Sequence, residues 1–316
     1  MANGFSLKRR AKMTNVHKAI NTAKKLIDLP YNEFNLDNYR RILEKKFKFS
    51  GRKLNGLTYY ACQRENQPVK LMAGNHPEAQ CIHTFFGRHV YIVGKGILFD
   101  SGGLDLKKEM YTMTNDKAGM IIALAVTDLL PDTVTAYCPV TTNFLQTSKI
   151  IPGDIITIGE KKVKIINTDA EGRLILAEAL SQLDVGPKDI VITVATLTGA
   201  CAYAVGTKAT AYMTENDKLA EKFAKASDQA KELSWRLPLW DYLQKKYYKG
   251  KLIKNYEKDI KNGTTEAAMF VKQFVKYPNQ WIHLDIAYSA FNDNGKANGI
   301  PIRSLINFIK KINQED

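Results

Sequence analysis

The chain has 316 residues, 45% hydrophobic and 25% charged, with 20 glycines and 10 prolines, which excludes disordered, collagen-like and coiled-coil proteins. The 46 Lys and Arg residues outnumber the 32 Asp and Glu residues, and the formal charge of +14 favours acidic partners such as nucleic acid. No apolar run reaches the roughly 18 residues of a membrane span, and the basic N-terminus lacks the apolar stretch of a signal peptide. We therefore expect a cytoplasmic protein without a membrane partner, whose four widely spaced cysteines are reduced and mostly buried.

The predicted elements begin with two helices between residues 16 and 47, separated by a break near residues 29–32. From residue 57 onward, short β-rich runs alternate with helical patterns. Strands are predicted over 89–93, 133–140, 163–166, 189–197 and 281–286, and helices over 117–130, 173–183, 217–233 and 302–312.

This alternation predicts an α/β fold with a central, mostly parallel sheet and helices on both faces. Residues 190–197, IVITVATL, are apolar almost throughout, which is typical of a strand buried on both sides. No clear linker divides the chain, so we expect a basic tail over residues 1–15 and one domain with a helical lead-in over residues 16–316.

Two carboxylates follow the predicted strand at 163–166. If the segment is extended, Asp169 and Glu171 share one face with Arg173, at the carboxyl end of a strand, where α/β proteins place their sites. Two converging carboxylates repel each other, and a metal ion between them would remove that repulsion. The alternative is a solvated turn with an acidic residue that caps the following helix.

A glycine-rich turn over residues 94–103 follows another apolar strand and contains Lys95 and Asp100, with Lys107 shortly after it. It matches neither the phosphate-loop pattern GxxxxGK[ST] nor a dinucleotide fingerprint. Asp116 precedes an apolar helix, where a helix cap is the alternative interpretation. The five histidines are scattered and form no HExxH motif, so a metal site would use oxygens, with a lysine amine as a further ligand. Such ligands suit Mn²⁺, Mg²⁺, Co²⁺ or Zn²⁺.

These motifs resemble the leucyl aminopeptidase (cytosol aminopeptidase) family of two-metal enzymes. NTDAEGRL at 167–174 matches that family's signature, and VGKGxxFDSGG at 93–103 matches its second hallmark. Residues from about Ala19 to the C-terminus follow the family's order, including ATLTGA at 195–200 and WIHLDIA at 281–287. The resemblance implies a zinc-exopeptidase-like catalytic domain over 16–316, with the family's separate N-terminal domain absent.

The resemblance also implies two divalent metal ions per subunit, Mn²⁺ or Zn²⁺ with Mg²⁺ or Co²⁺ as alternatives. Asp100 and Glu171 would bridge them, Asp169 would complete the more exchangeable site, and Lys95 and Asp116 would complete the tighter one. Lys95 would bind as the neutral amine, with its pKa lowered by the metal. Lys107 resembles the catalytic lysine, and Arg173 the arginine that holds a bicarbonate. The resemblance places four residues near the substrate: Met113, for which a core methionine is the alternative, Thr196, Leu197 and Gly199.

The implied reaction is hydrolysis of the N-terminal residue, leucine-like by preference, from peptides with a free N-terminus. A water activated between the two metals would attack, Lys107 would stabilise the oxyanion, and bicarbonate on Arg173 would shuttle the proton. The resemblance also implies a homo-oligomer, with a hexamer favoured. The alternative is a nucleic-acid-binding protein on an aminopeptidase scaffold, suggested by Lys8-Arg9-Arg10 and the lysine-rich residues 242–261; these dispersed charges carry no nucleic-acid motif, so this partner is not favoured.

Several positions depart from the family's pattern. Lys117 stands where a methionine is usual, Thr142 where a glutamate is usual, and Tyr288 where a glycine is usual. The segment from Lys107 to Asp116 is about two residues shorter than the family's. We expect these departures to affect the rim of the substrate pocket, the metal preference or the assembly.

Overall fold

A nine-stranded mixed sheet forms the centre of the fold. The computed structural model describes residues 2–47, 58–61, 67–74, 76–84, 89–243, 248–249, 252–259 and 261–313, with backbone alone at 2–13, 58–61 and 248–249. The predicted basic cluster Lys8-Arg9-Arg10 and the thiol of Cys62 therefore lie outside the described side chains, as does part of the lysine-rich stretch over 242–261.

The large sheet has the strand order β1-β2-β5-β3-β8-β13-β9-β10, and β4 pairs with β5. Its inner strands β5, β3, β8 and β13 are parallel to one another, and β4 and β10 join β5 and β9 in parallel, whereas β1, β2 and β9 add antiparallel pairs. The strands are β1 (Thr58–Ala61), β2 (Gln80–His83), β3 (Val90–Gly94), β4 (Gly96–Asp100), β5 (Val134–Asn143), β8 (Ile190–Ala195), β9 (Thr210–Met213), β10 (Ser234–Arg236) and β13 (Trp281–Asp285).

Burial explains which strands lie in the middle. Every residue of β5, β8 and β13 is buried, as the apolar run over 190–197 predicts for a strand covered on two sides.

A smaller four-stranded sheet lies apart, in the order β11-β12-β7-β6. Its strands are β6 (Ile155–Ile158), β7 (Lys161–Lys164), β11 (Tyr248–Lys249) and β12 (Leu252–Lys254).

Helices flank the large sheet, and α4 and α5 both contact its central strands. The mostly parallel α/β sheet flanked by helices confirms the predicted fold class. The helices are α1 (Ala2–Ile27), α2 (Tyr39–Lys46), α3 (Pro68–Met72), α4 (Ala118–Leu129), α5 (Glu171–Gln182), α6 (Cys201–Val205), α7 (Asp217–Ala230), α8 (Gly263–Lys272) and α9 (Ile302–Ile312), with 3-10 turns at Met113–Lys117 and Pro278–Gln280.

The predicted long elements are present, with ends that shift by a few residues. Helix α1 begins at Ala2 and therefore crosses the boundary that we expect at residue 15. Short strands such as β1, β2 and β4 lack a pattern long enough to predict. Cys81, Cys138 and Cys201 are free and buried, as predicted. Among the described helices, none combines the length and apolarity that crossing a membrane requires.

Candidate active site

The candidate site lies at the carboxyl end of the parallel strands. Lys95 follows β3, Asp100 ends β4, and Thr196 follows β8. Because parallel strands end at the same edge of a sheet, the positions of these three residues at strand ends bring them together.

A close approach of two backbones adds Asp116 to this group. A Cβ on Gly94 would lie 2.5 Å from the carbonyl oxygen of Gly119, so only glycine allows α4 to start against the end of β3. The amide of Met120 donates to the carbonyl of Lys95 at 2.8 Å, which fixes the contact. Asp116, directly before α4, is thereby held beside Lys95.

Lys95 lies between two carboxylates and is buried. Its Nζ is 2.8 Å from Asp116 Oδ2 and 3.0 Å from Glu171 Oε1, and it donates to the carbonyl of Thr196 at 2.9 Å. The side chain passes over Gly172, where a Cβ would lie 2.8 Å from Nζ. The glycine after Glu171 is therefore required by the path of this lysine.

Lys107 lies between the other two carboxylates. Its Nζ is 2.8 Å from Asp100 Oδ2 and also contacts Asp169 Oδ1. The turn that returns the chain to this point has positive φ at Gly102 (89°) and Gly103 (63°), as predicted for a glycine-rich loop. The other oxygen of Asp100 accepts from the Gly102 amide and from Asn143 Nδ2, both at 2.8 Å, so its orientation is fixed.

Burial and neighbouring charges oppose each other in the pKa values of this cluster. Burial raises the pKa of Asp116 to about 8 and that of Asp169 to about 7, and the lysines offset this only in part. For Glu171 burial also acts to raise the pKa, but Lys95 and Lys107 outweigh it and leave the value lowered. For Lys95 and Lys107 burial acts to lower the pKa, and the surrounding carboxylates outweigh it and leave both values raised.

The donor set fits a divalent metal. Asp100, Asp169 and Glu171 each offer an oxygen, and these atoms lie within 4.8 Å of one another. Among the described residues, none donates a hydrogen bond to the buried Glu171 Oε2, an oxygen that a cation would satisfy. Asp116 and the amine of Lys95 lie next to this group.

Arg173 binds residues outside the cluster, and the segment that carries it is helical rather than extended as expected. Helix α5 begins at Glu171, and residues two apart in a helix lie on different sides of it. Arg173 Nη1 instead donates to the carbonyl of Asn255 at 2.9 Å and lies 3.3 Å from Glu266 Oε1. Its side chain is buried and is not part of the cavity wall.

A cavity of about 720 Å³ opens over the cluster. All four residues that the resemblance places near a substrate line it: Met113, Thr196, Leu197 and Gly199. Met113 is half-buried in the cavity wall, so the core alternative does not hold for it. Of the three unusual residues, Tyr288 also lines the cavity, whereas Lys117 and Thr142 are buried away from it.

Two further residues support the site and were not predicted. Asp285, at the end of β13, accepts hydrogen bonds from the Leu197 amide (3.2 Å) and the Thr198 hydroxyl (2.7 Å), and so holds the loop over residues 196–199, all four of which line the cavity. Asn255 binds the backbone of residues 166–170. Asp285 lies in the WIHLDIA segment, which could have drawn attention to it, whereas no local pattern marks Asn255.

Comparisons with known proteins agree with this arrangement. Residues 21–306 match the family described as "Cytosol aminopeptidase family, catalytic domain". The chain is 33% identical to a probable cytosol aminopeptidase of Chlorobaculum tepidum, covering 92% of this chain and 62% of the relative, and 38% identical to one of Syntrophotalea carbinolica, covering 70% and 47%.

Among solved structures, the bottromycin maturation enzyme BotP superposes with a TM-score of 0.84 at 27% identity, covering 97% of this chain and 72% of BotP. Its complex with Mn gives a TM-score of 0.82 at 28% identity, with coverages of 96% and 72%. The chain spans about half to three fifths of the two curated relatives quoted above. With a match over residues 21–306 and with the motif residues gathered at one cavity, this chain belongs to the cytosol aminopeptidase family and corresponds to its catalytic domain.

Proposed function

We propose that this chain is a metal-dependent aminopeptidase that removes the N-terminal residue, leucine-like by preference, from peptides with a free N-terminus. The observation that carries the proposal is the convergence of four carboxylates and two lysines at the floor of one cavity: Asp100, Asp116, Asp169, Glu171, Lys95 and Lys107. Membership of the cytosol aminopeptidase family supports the same reaction class.

Two divalent ions per subunit belong to the proposal, Mn²⁺ or Zn²⁺, with Mg²⁺ or Co²⁺ as alternatives. Asp100 and Glu171 would bridge them, Asp169 would complete one site, and Lys95 and Asp116 would complete the other. When bound, such ions polarise a carbonyl group and lower the pKa of water. The Mn in a structure of BotP supports the choice of Mn²⁺. Lys95 must release its proton before Nζ has a free lone pair, so its raised pKa opposes binding.

Lys107 is proposed as the group that stabilises negative charge on the carbonyl oxygen under attack. Its raised pKa keeps Nζ protonated, and the side chain lines the cavity. A preorganised donor of this kind commonly contributes about 3 kcal/mol to the transition state.

Arg173 would be the residue that holds a bicarbonate ion, which would supply a base for proton transfer, although its side chain is not part of the cavity wall in this structure. This part rests on the family resemblance. Because the Glu266 carboxylate already lies 3.3 Å from the guanidinium, an anion at Arg173 has to compete with it. We therefore expect bicarbonate to stimulate turnover only weakly.

The cavity wall suits a peptide N-terminus. Six carboxylates and three lysines line it, so a protonated α-amine is attracted into the site although the chain as a whole carries a charge of +14. Met113 and Leu197 would contact the substrate's first side chain, together with Thr196 and Gly199, and these contacts support the leucine-like preference.

Assembly and location complete the proposal: a cytoplasmic homo-oligomer, with a hexamer favoured. Light scattering on purified protein measures the assembly directly. The alternative function, nucleic-acid binding on an aminopeptidase scaffold, receives no support from the family match. Binding to duplex DNA that weakens steeply with salt would be the observation in its favour.

The decisive experiment is hydrolysis of leucyl-p-nitroanilide and a leucyl dipeptide by the Mn²⁺-loaded protein. We expect Asp169→Ala to abolish turnover, because it removes one oxygen of the proposed metal site. Asp184→Ala is the matched control, since Asp184 is exposed and does not line the cavity, and the turnover of this variant should equal that of the wild type. A folded, metal-loaded protein that hydrolyses none of a panel of N-terminal residues contradicts the proposal.

A further inference from the structure

Asn255 lies outside the cavity wall but touches the loop over residues 166–170, which bears the proposed ligand Asp169 and leads directly into Glu171 at the start of α5. Asn255 follows β12 and is fully buried. Its backbone amide donates to the carbonyl of Lys164 at 3.0 Å, which extends the pairing of β12 with β7. The side chain therefore enters the loop over residues 166–170 from a strand of the small sheet.

Every hydrogen-bonding position of this side chain is used. Asn255 Oδ1 accepts from the amides of Ile166 (2.7 Å) and Asn167 (3.3 Å), and Nδ2 donates to the carbonyls of Asn167 (2.7 Å) and Ala170 (3.4 Å). An asparagine amide offers two acceptor sites and two donors, and this loop occupies all four. Aspartate lacks the donors and alanine lacks both functions.

A second connection secures the other side of the loop. The carbonyl of Asn255 accepts from Arg173 Nη1 at 2.9 Å, and Arg173 also lies 3.3 Å from the buried Glu266 carboxylate. Glu266 Oε1 in turn accepts from the amide of Glu257 at 2.7 Å. In the chain, Asp169 and Glu171 thus lie between Ile166, which binds the Asn255 side chain, and Arg173, which binds the Asn255 backbone carbonyl.

We infer that Asn255 is a positioning residue that holds Asp169 and Glu171 in the geometry needed to bind metal. The inference rests on the metal role of these two carboxylates given under the proposed function. The side chain acts through the backbone of 166–170, and it does not line the cavity. Replacing a residue that orients metal ligands commonly weakens metal binding 10- to 100-fold.

The test compares two asparagines that both bind backbone. Asn262 caps α8 by accepting from the Thr265 amide. Removing the Asn262 side chain deletes this hydrogen bond but leaves the contacts of the loop over residues 166–170 unchanged. Mn²⁺ is titrated into chelator-treated full-length wild type, Asn255→Ala and Asn262→Ala, and free Mn²⁺ is counted by electron paramagnetic resonance. We expect binding about 10- to 100-fold weaker in Asn255→Ala and about equal to the wild type in Asn262→Ala, with circular dichroism confirming that both variants are folded.

The outcomes separate the inference from the proposal beneath it. Equal Mn²⁺ affinity in folded Asn255→Ala and Asn262→Ala contradicts the positioning role and leaves the metal site standing. A folded wild type that takes up no Mn²⁺ contradicts the proposed function, and the inference falls with it.

A milder variant and a direct probe cover the case in which Asn255→Ala does not fold. Asn255→Ser keeps one donor and one acceptor, and we expect the same direction of change with a smaller loss of affinity. Amide exchange adds a readout on the wild type, where the Ile166 and Asn167 amides should be protected. Unprotected amides at these positions, or wild-type affinity in Asn255→Ser, overturn the inference.

Discussion

Lys95 and Lys117 are both buried near the proposed metal ligands, but their surroundings differ. Lys95 Nζ lies between the carboxylates of Asp116 and Glu171. Lys117 Nζ donates to two backbone carbonyls, at 2.8 Å to Leu29 and 2.5 Å to Thr114. It also lies 5.4 Å from the centre of the Phe34 ring. Lys117 therefore ties the segment after α1 to the 3-10 turn, whereas Lys95 belongs to the cluster of charges.

The pKa values follow these surroundings. For Lys95 burial acts to lower the pKa, but the carboxylates outweigh it and the value is raised. For Lys117 burial dominates and lowers the pKa to about 7, against the weaker effects of Asp28 and Asp116. Burial of a charged side chain is therefore not sufficient to mark a reactive site; convergence of opposite charges is what distinguishes the Lys95 region.

The largest effect is expected for Lys95→Met. The variant leaves Asp116 and Glu171 without their buried partner, so the free energy of unfolding should fall by about 3–5 kcal/mol. Turnover should fall at least ~10³-fold, as for other residues that act as one catalytic unit. Urea unfolding and kcat are the measurements. Near wild-type turnover in folded Lys95→Met would show that Lys95, like Lys117, supports the fold and does not take part in catalysis.

Lys107→Met should reduce kcat by about 10²–10³-fold, because it removes one charged donor aimed at the cavity. Mn²⁺ affinity should be kept, since Asp100 and Asp169 remain. This outcome separates Lys107 from Lys95, a proposed metal ligand, because Lys95→Met should lower both kcat and the Mn²⁺ affinity. A Lys107→Met enzyme with unchanged kcat contradicts the proposed stabilisation of the oxyanion.

Asp285 is a buried carboxylate outside the cluster of Lys95 and Lys107. Its pKa tests whether burial dominates there, as it does for Lys117. Burial raises its pKa from the ordinary 3.8 to about 6, and the facing titratable group is the Cys201 thiol, whose own pKa is raised. Between pH 4 and 6 the folded state therefore binds more protons than the unfolded state, so stability falls as pH rises. The loss amounts to about 2 kcal/mol over this range and about 3 kcal/mol over the full titration.

Asp285→Asn removes this ionisation and keeps a group that can bind Leu197, Thr198 and Ala287. Relative to the wild type, the variant should gain stability between pH 4.5 and pH 7 by about 2 kcal/mol in urea unfolding. A constant difference between the two proteins over this range would show that Asp285 does not titrate there.

The smallest effect on catalysis is expected for Lys117→Met. The change removes the donor to two buried carbonyls, so the free energy of unfolding should fall by about 1–3 kcal/mol. Turnover should stay within about fivefold of the wild type, because Asp116 keeps its contacts with Lys95 and Thr196. A loss of turnover as large as that of Lys95→Met would remove the distinction between the two lysines.

Much of the site could be predicted from the sequence. The signature over 167–174 and the glycine-rich turn contain Asp169, Glu171, Lys95 and Asp100, and the fold brings these four residues to one cavity together with the predicted Lys107 and Asp116, because strand-following loops meet at one edge of a parallel sheet. The extended segment expected through Arg173 is wrong, because α5 begins at Glu171, two residues before the predicted start of the helix.

The sequence by itself determined the fold class and the chemistry of the site, because buried strands and convergent charged motifs leave local patterns. Tertiary structure alone decided which groups hold those residues in place. Asn255 lies more than 80 residues from the loop that it binds, and Glu266 meets Arg173 across a similar separation. Such contacts depend on how β12 pairs with β7, and a single sequence carries no local signal for that pairing.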